Sequence, residues 1–361
     1  MTTPGTALDL ACELVRLDTR GSGERVAADL AANRLEDAGL TVAMHETRPG
    51  RANLVAHHGD ETPVTLTGHL DTVPADEAVW SFDPLAGDVV DGRLRGRGAS
   101  DMKAGVAAAV VAAAEHVRAG GTGVQVVLTF GEETGCEGAR EIPADALRPS
   151  GTLLVAEPTA NRVVLGHKGV LWLVLHARGV PAHGSRPDLG HNALVDLARA
   201  AVRIHEHDAW PTSSTHGATT ANVGMMRAGV QPNVVPDRAA LTVDLRLVPG
   251  DTADAAEATV VDLAGVPVET ERLVELPLID TDPGRVARAV DLLGGGGGRG
   301  EPQYATYFTD ASVLAGALGG ADTIVCGPGE PEQCHVTDEW APAGLVDPAA
   351  AAYRQVLAAL T

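Results

Sequence analysis

The sequence predicts an α/β protein with a smaller α+β domain inserted into it. Three observations carry this expectation. Up to about residue 161, apolar runs that read as strands buried on both faces alternate with helical stretches, the pattern of a parallel sheet covered by helices. Between 166 and 278 the strands change to mixed, alternating polarity in the order βαββαβ, that of a small ferredoxin-like domain. After Ile279 the first signature returns. The expected boundaries are 1–165 with 279–361 for the discontinuous main domain, and 166–278 for the insert. A length of 361 residues agrees with two domains.

Taken in order, helical periodicity covers about 5–17 and 22–39. Strands are expected near 41–46 and 52–57, and over P-V-T-L-T-G before His69. An Ala/Val-rich helix runs from about 102 to 118, and its continuous apolar face implies burial against a sheet. Gly120 and Gly121 end it. Strands follow at 124–130 and 152–156. The insert reads as a strand at 170–178, a helix at 191–207, strands at 219–227 and 238–247, a helix at 251–264 and a strand at 266–274. One face of its sheet should meet the helices, the other solvent or a partner. A helix at 285–293, a strand at 323–326 and a helix at 347–360 complete the chain. The run Gly294 to Gly298 reads as a variable surface linker rather than a mobile loop beside a site.

Composition excludes some functions. Apolar residues make up 45% and charged residues 21%, ordinary for a globular chain. Aromatics are only 3%, so the core must be built from Ala, Val and Leu. A formal net charge of -21 argues against nucleic acid and anionic membrane as partners, since both need a basic face. Cys12, Cys136, Cys326 and Cys334 form no C-x-x-C pair, which fits a reducing compartment. The segment T-A-L-D-L-A-C-E-L-V reads as an amphipathic helix rather than a signal peptide, and no apolar run reaches transmembrane length. The cytoplasm is the expected location.

Acids and imidazoles collect where such a sheet does its chemistry, outside the carboxyl ends of its strands. His69 follows P-V-T-L-T-G. Glu132 and Glu133 follow V-Q-V-V-L-T-F-G. Glu157 follows T-L-L-V-A. His335 lies a short loop after T-I-V-C-G, and Asp101 opens D-M-K-A-G-V-A-A-A-V-V. Their number suggests two metal ions. Asp71, two residues beyond His69, is within reach of the other ring nitrogen, where a carboxylate would fix the tautomer; a capped loop explains H-x-D equally well. Asp101 suits a helix cap and also a bridge, because a carboxylate has two oxygens to offer. Adjacent carboxylates in an extended segment point opposite ways, so Glu132 and Glu133 can divide the work between metal ligation and general base. Three ligand carboxylates and two neutral imidazoles offset most of the charge of two divalent ions. Mixed N/O ligands favour Zn²⁺, with Co²⁺ or Mn²⁺ as alternatives.

G-H-L-D-T-V-P, G-A-S-D-M-K-A-G, G-E-E-T-G, A-E-P-T, A-H-G-S-R-P and C-H-V-T-D-E-W, in this order over nearly the whole chain, resemble the M20 metallopeptidase and deacylase family. The resemblance implies a di-zinc, aminopeptidase-like α/β catalytic domain with an inserted lid that forms homodimers. It implies that His69, Asp101 and Glu157 hold one metal, and that Asp101, Glu133 and His335 hold the other. Glu132 would be the general base and Asp71 the partner of His69. His183 would steady the developing oxyanion from a neighbouring subunit. Asn233 and Arg246 would contact the substrate carboxylate, and Thr309 would lie near the substrate. Phe308 stands where the family often has Gly, Cys334 precedes the ligand His where a small residue is common, and Met225-Met226-Arg227 replaces a glycine-rich pattern. The expected activity is hydrolysis of the amide of a small, carboxylate-bearing N-acyl amino acid. A dipeptidase or carboxypeptidase with the same machinery is the first alternative. A metal-binding or assembly protein without catalysis is the second, and the spare carboxylate Glu132 argues against it.

Overall fold

The computed structural model describes residues 5–294 and 303–361. The chain divides into two compact units: Met1–Gly166 with Ile279–Gln303 and Thr309–Thr361, and His167–Leu278 with Tyr304–Phe308.

The first unit is organised by a mixed sheet. In spatial order its strands are Thr41–Arg48, Arg51–His58, Val124–Thr129, Val64–His69, Thr152–Val155, Asp322–Val325, Val164–His167 and Ile279–Asp280. The four central strands, from Val124–Thr129 to Asp322–Val325, are parallel. Every residue of Val64–His69 and of Val124–Thr129 is buried, the hydroxyls and amide of Thr65, Thr67, Gln125 and Thr129 included, as strands covered on both faces require. The helix Ala104–Arg118 is buried nearly all round. It packs on that sheet, on the helix Ala7–Val15 and on Ala343–Leu360. Ala7–Val15 starts with a capping box, in which the Thr6 hydroxyl accepts the Asp9 N–H and the Asp9 carboxylate accepts the Thr6 N–H. Gly105 lets the buried helix approach a strand end, because a Cβ there would lie 1.9 Å from the Ala156 carbonyl oxygen.

The second unit is a four-stranded antiparallel sheet in the order Thr220–Ala228, Arg238–Leu247, Gly169–Arg178, Glu269–Leu276. With the helices Ala193–Glu206 and Ala253–Ala264 the chain order is βαββαβ. Burial alternates along Arg238–Leu247. Its inward residues Leu241, Val243 and Leu245 form a core with Leu171, Leu173, Leu175, Leu197 and Val260.

Several local features depart from expectation. The helix expected from 102 begins at Ala104, and Ala99–Lys103 is an irregular turn with non-helical backbone at Asp101 and Met102. The peptide between those two residues is cis. Asp101 therefore does not cap the helix; the residue before Ala104 is Lys103, without a side-chain cap. The last helix begins at Ala343, with Pro348 inside it. The strand Val164–His167, the helices Glu137–Glu141 and Ala311–Ala317, and a small sheet of Asp88–Val90, Arg93–Arg95 and Trp340–Pro342 were not anticipated. Each is too short to show a period. Of the expected glycine linker, Gly295–Gly298 lies outside the described residues. No helix among the described residues is long and apolar enough to cross a membrane.

Candidate metal centre

The first unit gathers the expected ligands at the carboxyl ends of its parallel strands. His69 ends its strand. Glu132, Glu133 and Glu157 lie two to four residues beyond theirs. His69 Nε2 lies 3.1 Å from Asp101 Oδ1 and 3.8 Å from Glu157 Oε1. His335 Nε2 lies 3.3 Å from Asp101 Oδ2 and 2.9 Å from Glu133 Oε2. The two oxygens of Asp101 thus face two different imidazoles. Potential ligand atoms of His69, Asp101 and Glu133 lie within 4.8 Å of one another, and so do those of His69, Glu132 and Glu157. Glu132 is therefore near enough to belong to the cluster as well as to act beside it.

Asp71 organises this cluster differently from the expectation. The acceptor nearest His69 Nδ1 is the main-chain oxygen of Asp71, at 3.0 Å, while its carboxylate is 3.5 Å away. That carboxylate accepts the backbone N–H groups of Glu132 and Glu133, each at 3.2 Å. The pair of glutamates is consequently not extended. The strand ends at Thr129, Gly131 is left-handed with φ +66°, and the chain turns, with the N–H groups of Gly135 and Cys136 donating to the Glu132 carbonyl. A carbonyl can only accept, so His69 Nδ1 must carry the proton. In the neutral ring, Nε2, on the side of Asp101 and Glu157, would then be the nitrogen free to bind a cation.

The charges also fit cations. Among the described residues, the ion pairs of Asp101, Glu133 and Glu157 are all to His69 or His335. Burial pushes the Glu132 carboxyl well above the usual range, and the neighbouring Glu157, Asp310 and Glu133 add to this. Burial does the same to Glu157. Burial works against ionised Asp101, but the two imidazoles hold it well below the usual range. Asp101 and Glu133 hold the His335 imidazolium up to about 10. The pocket concentrates negative charge that ligand-sized positive charge would offset. With N and O donors in these numbers, the residues fit two divalent ions.

The remaining expected residues are spread over both units. In the second unit, His183 and Asn233 are neighbours: Gly184 N–H donates to the Asn233 carbonyl at 2.7 Å. His183 is exposed, and its Nδ1 accepts the Ser185 N–H at 3.1 Å. In the neutral ring this puts the proton on Nε2. Arg246 is already engaged by Asp244, with Nε to Oδ1 and Nη2 to Oδ2 both 2.9 Å. Its guanidinium lies 5.3 Å from the Phe308 ring centre, and Phe308 meets Trp172 edge-on. In the first unit, Thr309 is fully buried and its hydroxyl accepts the Ala311 N–H at the start of Ala311–Ala317. Cys334 is partly buried, and burial pushes its thiol up, as packing rather than reactivity requires.

Two buried acids close to the cluster escaped the sequence reading. Asp310 accepts the Thr129 hydroxyl, and burial pushes its carboxyl up to about 6. Glu339 is fully buried against the Asp101 segment. Asp310 follows the expected residue Thr309 and Glu339 stands inside C-H-V-T-D-E-W, but neither follows a strand end.

A cluster of potential metal ligands at the carboxyl ends of parallel strands is what a metallohydrolase requires. Residues 65–359 match the model of peptidase family M20/M25/M40, and the chain belongs to that family. It is 31% identical over 354 residues to an acetylornithine deacetylase of Myxococcus xanthus, covering 91% of each chain. It is 30% identical over 377 residues to a probable carboxypeptidase of Aspergillus clavatus, covering 96% of this chain and 81% of that one. Its fold is similar to that of a dinuclear metal-binding M20 peptidase of Bacillus subtilis, with a TM-score of 0.73, 15% identity, and coverage of 98% and 97%.

Proposed function

We propose that this metallohydrolase cleaves the amide bond of a small N-acyl amino acid, using two divalent metal ions and a glutamate general base. The observation that carries the proposal is the placing of Asp101 between His69 and His335, with Glu132 held beside them by the Asp71 carboxylate. In this reading His69, Asp101 and Glu157 hold one ion, and Asp101, Glu133 and His335 hold the other. Two cations bound there, Zn²⁺ in our proposal with Co²⁺ or Mn²⁺ as alternatives, would polarise the scissile carbonyl and acidify the attacking water.

Glu132 accepts the proton of that water and later delivers it to the leaving amine. Its burial suits this exchange, since a carboxylate in an apolar, crowded setting gains basicity. Asp71 fixes both the His69 tautomer and the turn that carries Glu132. His183, with its proton on Nε2, donates to the oxyanion that forms as the carbonyl is attacked. Arg246 and Asn233 hold the substrate carboxylate. Asp244 occupies one edge of the Arg246 fork, leaving the Nη1 side for substrate. Thr309 stands near the substrate.

We further propose that 1–165 with 279–361 act as the catalytic domain and 166–278 as a lid through which two chains pair. Support comes from the edge strand Thr220–Ala228, which exposes Met225 and Met226 to 50% and 39%. The enzyme is placed in the cytoplasm, consistent with its free cysteines. The likeness to a carboxypeptidase supports a second reading, peptide cleavage by the same residues. Cobalt-loaded protein assayed on N-acetyl amino acids, N-succinyl amino acids and dipeptides separates the two. We expect turnover of the N-acyl amino acids, abolished by chelation and restored by metal. Preference for dipeptides would favour the second reading, and no hydrolysis of any of these amides would refute both.

A further inference from the structure

We infer that Glu339 is a positioning residue for Asp101; the inference rests on the two-metal reading above. Glu339 is fully buried and both its oxygens are filled. Oε1 accepts the backbone N–H groups of Ser100, at 2.9 Å, and Asp101, at 3.1 Å. Oε2 accepts the Gly98 N–H at 2.9 Å and Arg97 Nη1 at 2.7 Å. All four partners are donors. A protonated acid would turn its hydrogen against one of them, so the arrangement is that of a carboxylate.

The need for such an anchor is local. Asp101 has φ -117° and ψ 88°, outside a helix, and regular helix begins only at Ala104. The N–H groups of Gly98, Ser100 and Asp101 would otherwise be buried donors without helical partners. Glu339 also stands four residues beyond His335. Its main-chain oxygen accepts the Gly96 N–H at 3.0 Å. Ser100 adds to the tie, its hydroxyl donating to the Trp340 carbonyl at 2.8 Å and accepting the Glu330 N–H at 2.9 Å. One side chain thus binds the loop that presents Asp101 to the segment that leaves His335, and so sets the 3.3 Å separation of Asp101 Oδ2 from His335 Nε2.

The test is Glu339→Gln in the full-length protein, read by Co²⁺ titration and by the visible d–d spectrum of the loaded protein. The amide has the size of the acid but must present its NH₂ to at least one donor pair. Loss of a supporting partner typically costs about 10- to 100-fold in metal affinity. We expect a loss of that size with an altered Co²⁺ spectrum at saturation. Gln125→Ala is the control for a merely structural role. Gln125 is buried at the far end of the strand Val124–Thr129, bonded to Thr65 and Arg148. It should lower the melting temperature while leaving cobalt affinity and spectrum unchanged. Glu339→Asp keeps the charge but withdraws it by one methylene; it should fall between wild type and Glu339→Gln, and it carries the test if the glutamine variant does not fold. Wild-type affinity and spectrum in a folded Glu339 variant would overturn the inference. Wild-type protein binding fewer than two Co²⁺ ions would overturn the two-metal reading, and this inference with it.

Discussion

Replacing Glu132 by Gln should separate catalysis from stability, with opposite signs. The substitution keeps the shape and removes one negative charge from a pocket where the potential ligand atoms of His69, Glu132 and Glu157 lie within 4.8 Å of one another. At an effective dielectric constant of about 20, two like charges at that separation repel by about 3 kcal/mol. His69 offsets part of this, and burial already favours the protonated acid. The metal-free variant should therefore gain only about 1 kcal/mol over metal-free wild type, a rise of about one to two degrees in melting temperature for a chain of this length. The new NH₂ can donate to the surrounding carboxylates, so no buried donor is orphaned. Turnover should move the other way. An amide cannot accept the proton, and general base catalysis is worth about 10²–10⁴-fold, or about 3–5.5 kcal/mol. Metal content should remain at two ions. The assay is metal analysis, calorimetry of the chelated protein and steady-state hydrolysis on one preparation. Loss of a metal together with activity would make Glu132 a ligand, and a near wild-type rate would remove it from the mechanism.

Further expectations follow from the same geometry. Asp101→Ala removes the carboxylate whose two oxygens face the two imidazoles, so calorimetric titration of the metal-free protein with Zn²⁺ should lose at least one site; two sites of native affinity would exclude the bridge. His183→Ala should retain both metals and lose about 10²–10³-fold in rate, the usual cost of one oxyanion donor. If His183 acts across a dimer, mixing that variant with Glu132→Ala under verified subunit exchange should restore activity above either parent; no restoration would confine His183 to its own chain or remove it from the oxyanion. Gly105→Ala puts a methyl group 1.9 Å from the Ala156 carbonyl oxygen, next to Glu157. Overpacking against backbone should cost about 1–3 kcal/mol of stability and weaken metal binding, and an unchanged melting curve would show that the helix yields freely.

The central strands were legible because they are buried on both faces, so Val64–His69 and Val124–Thr129 carry no charged residue before the site and are rich in Val, Leu and Thr. In the second unit Arg238–Leu247 was legible because it is buried on one face and alternates residue by residue. The acids and imidazoles of the candidate site were legible where they follow such strands. What escaped has no period to read. Ala99–Lys103 is held in its turn by Glu339, more than two hundred residues away in sequence, which accepts N–H groups that have no helical partner. Glu132 and Glu133 turn because Asp71 draws both of their N–H groups onto one carboxylate. A local pattern cannot record a hydrogen bond supplied by a distant carboxylate, and the sites of Asp310 and Glu339 are defined only by such bonds.

The placing of the strand Asp322–Val325 has a consequence for synthesis. It lies between Thr152–Val155 and Val164–His167, both made much earlier. During translation, the parallel edge of Thr152–Val155 has no native neighbour on that side until roughly 170 more residues have been added, which at about 5–20 residues per second is on the order of ten to thirty seconds. For that interval the nascent chain carries an apolar, hydrogen-bonding edge open to other chains. Chaperone occupancy should peak on ribosomes whose exposed chain ends short of Val325, and a circular permutant that begins near Ile279 should shorten the exposure by supplying the missing strand first.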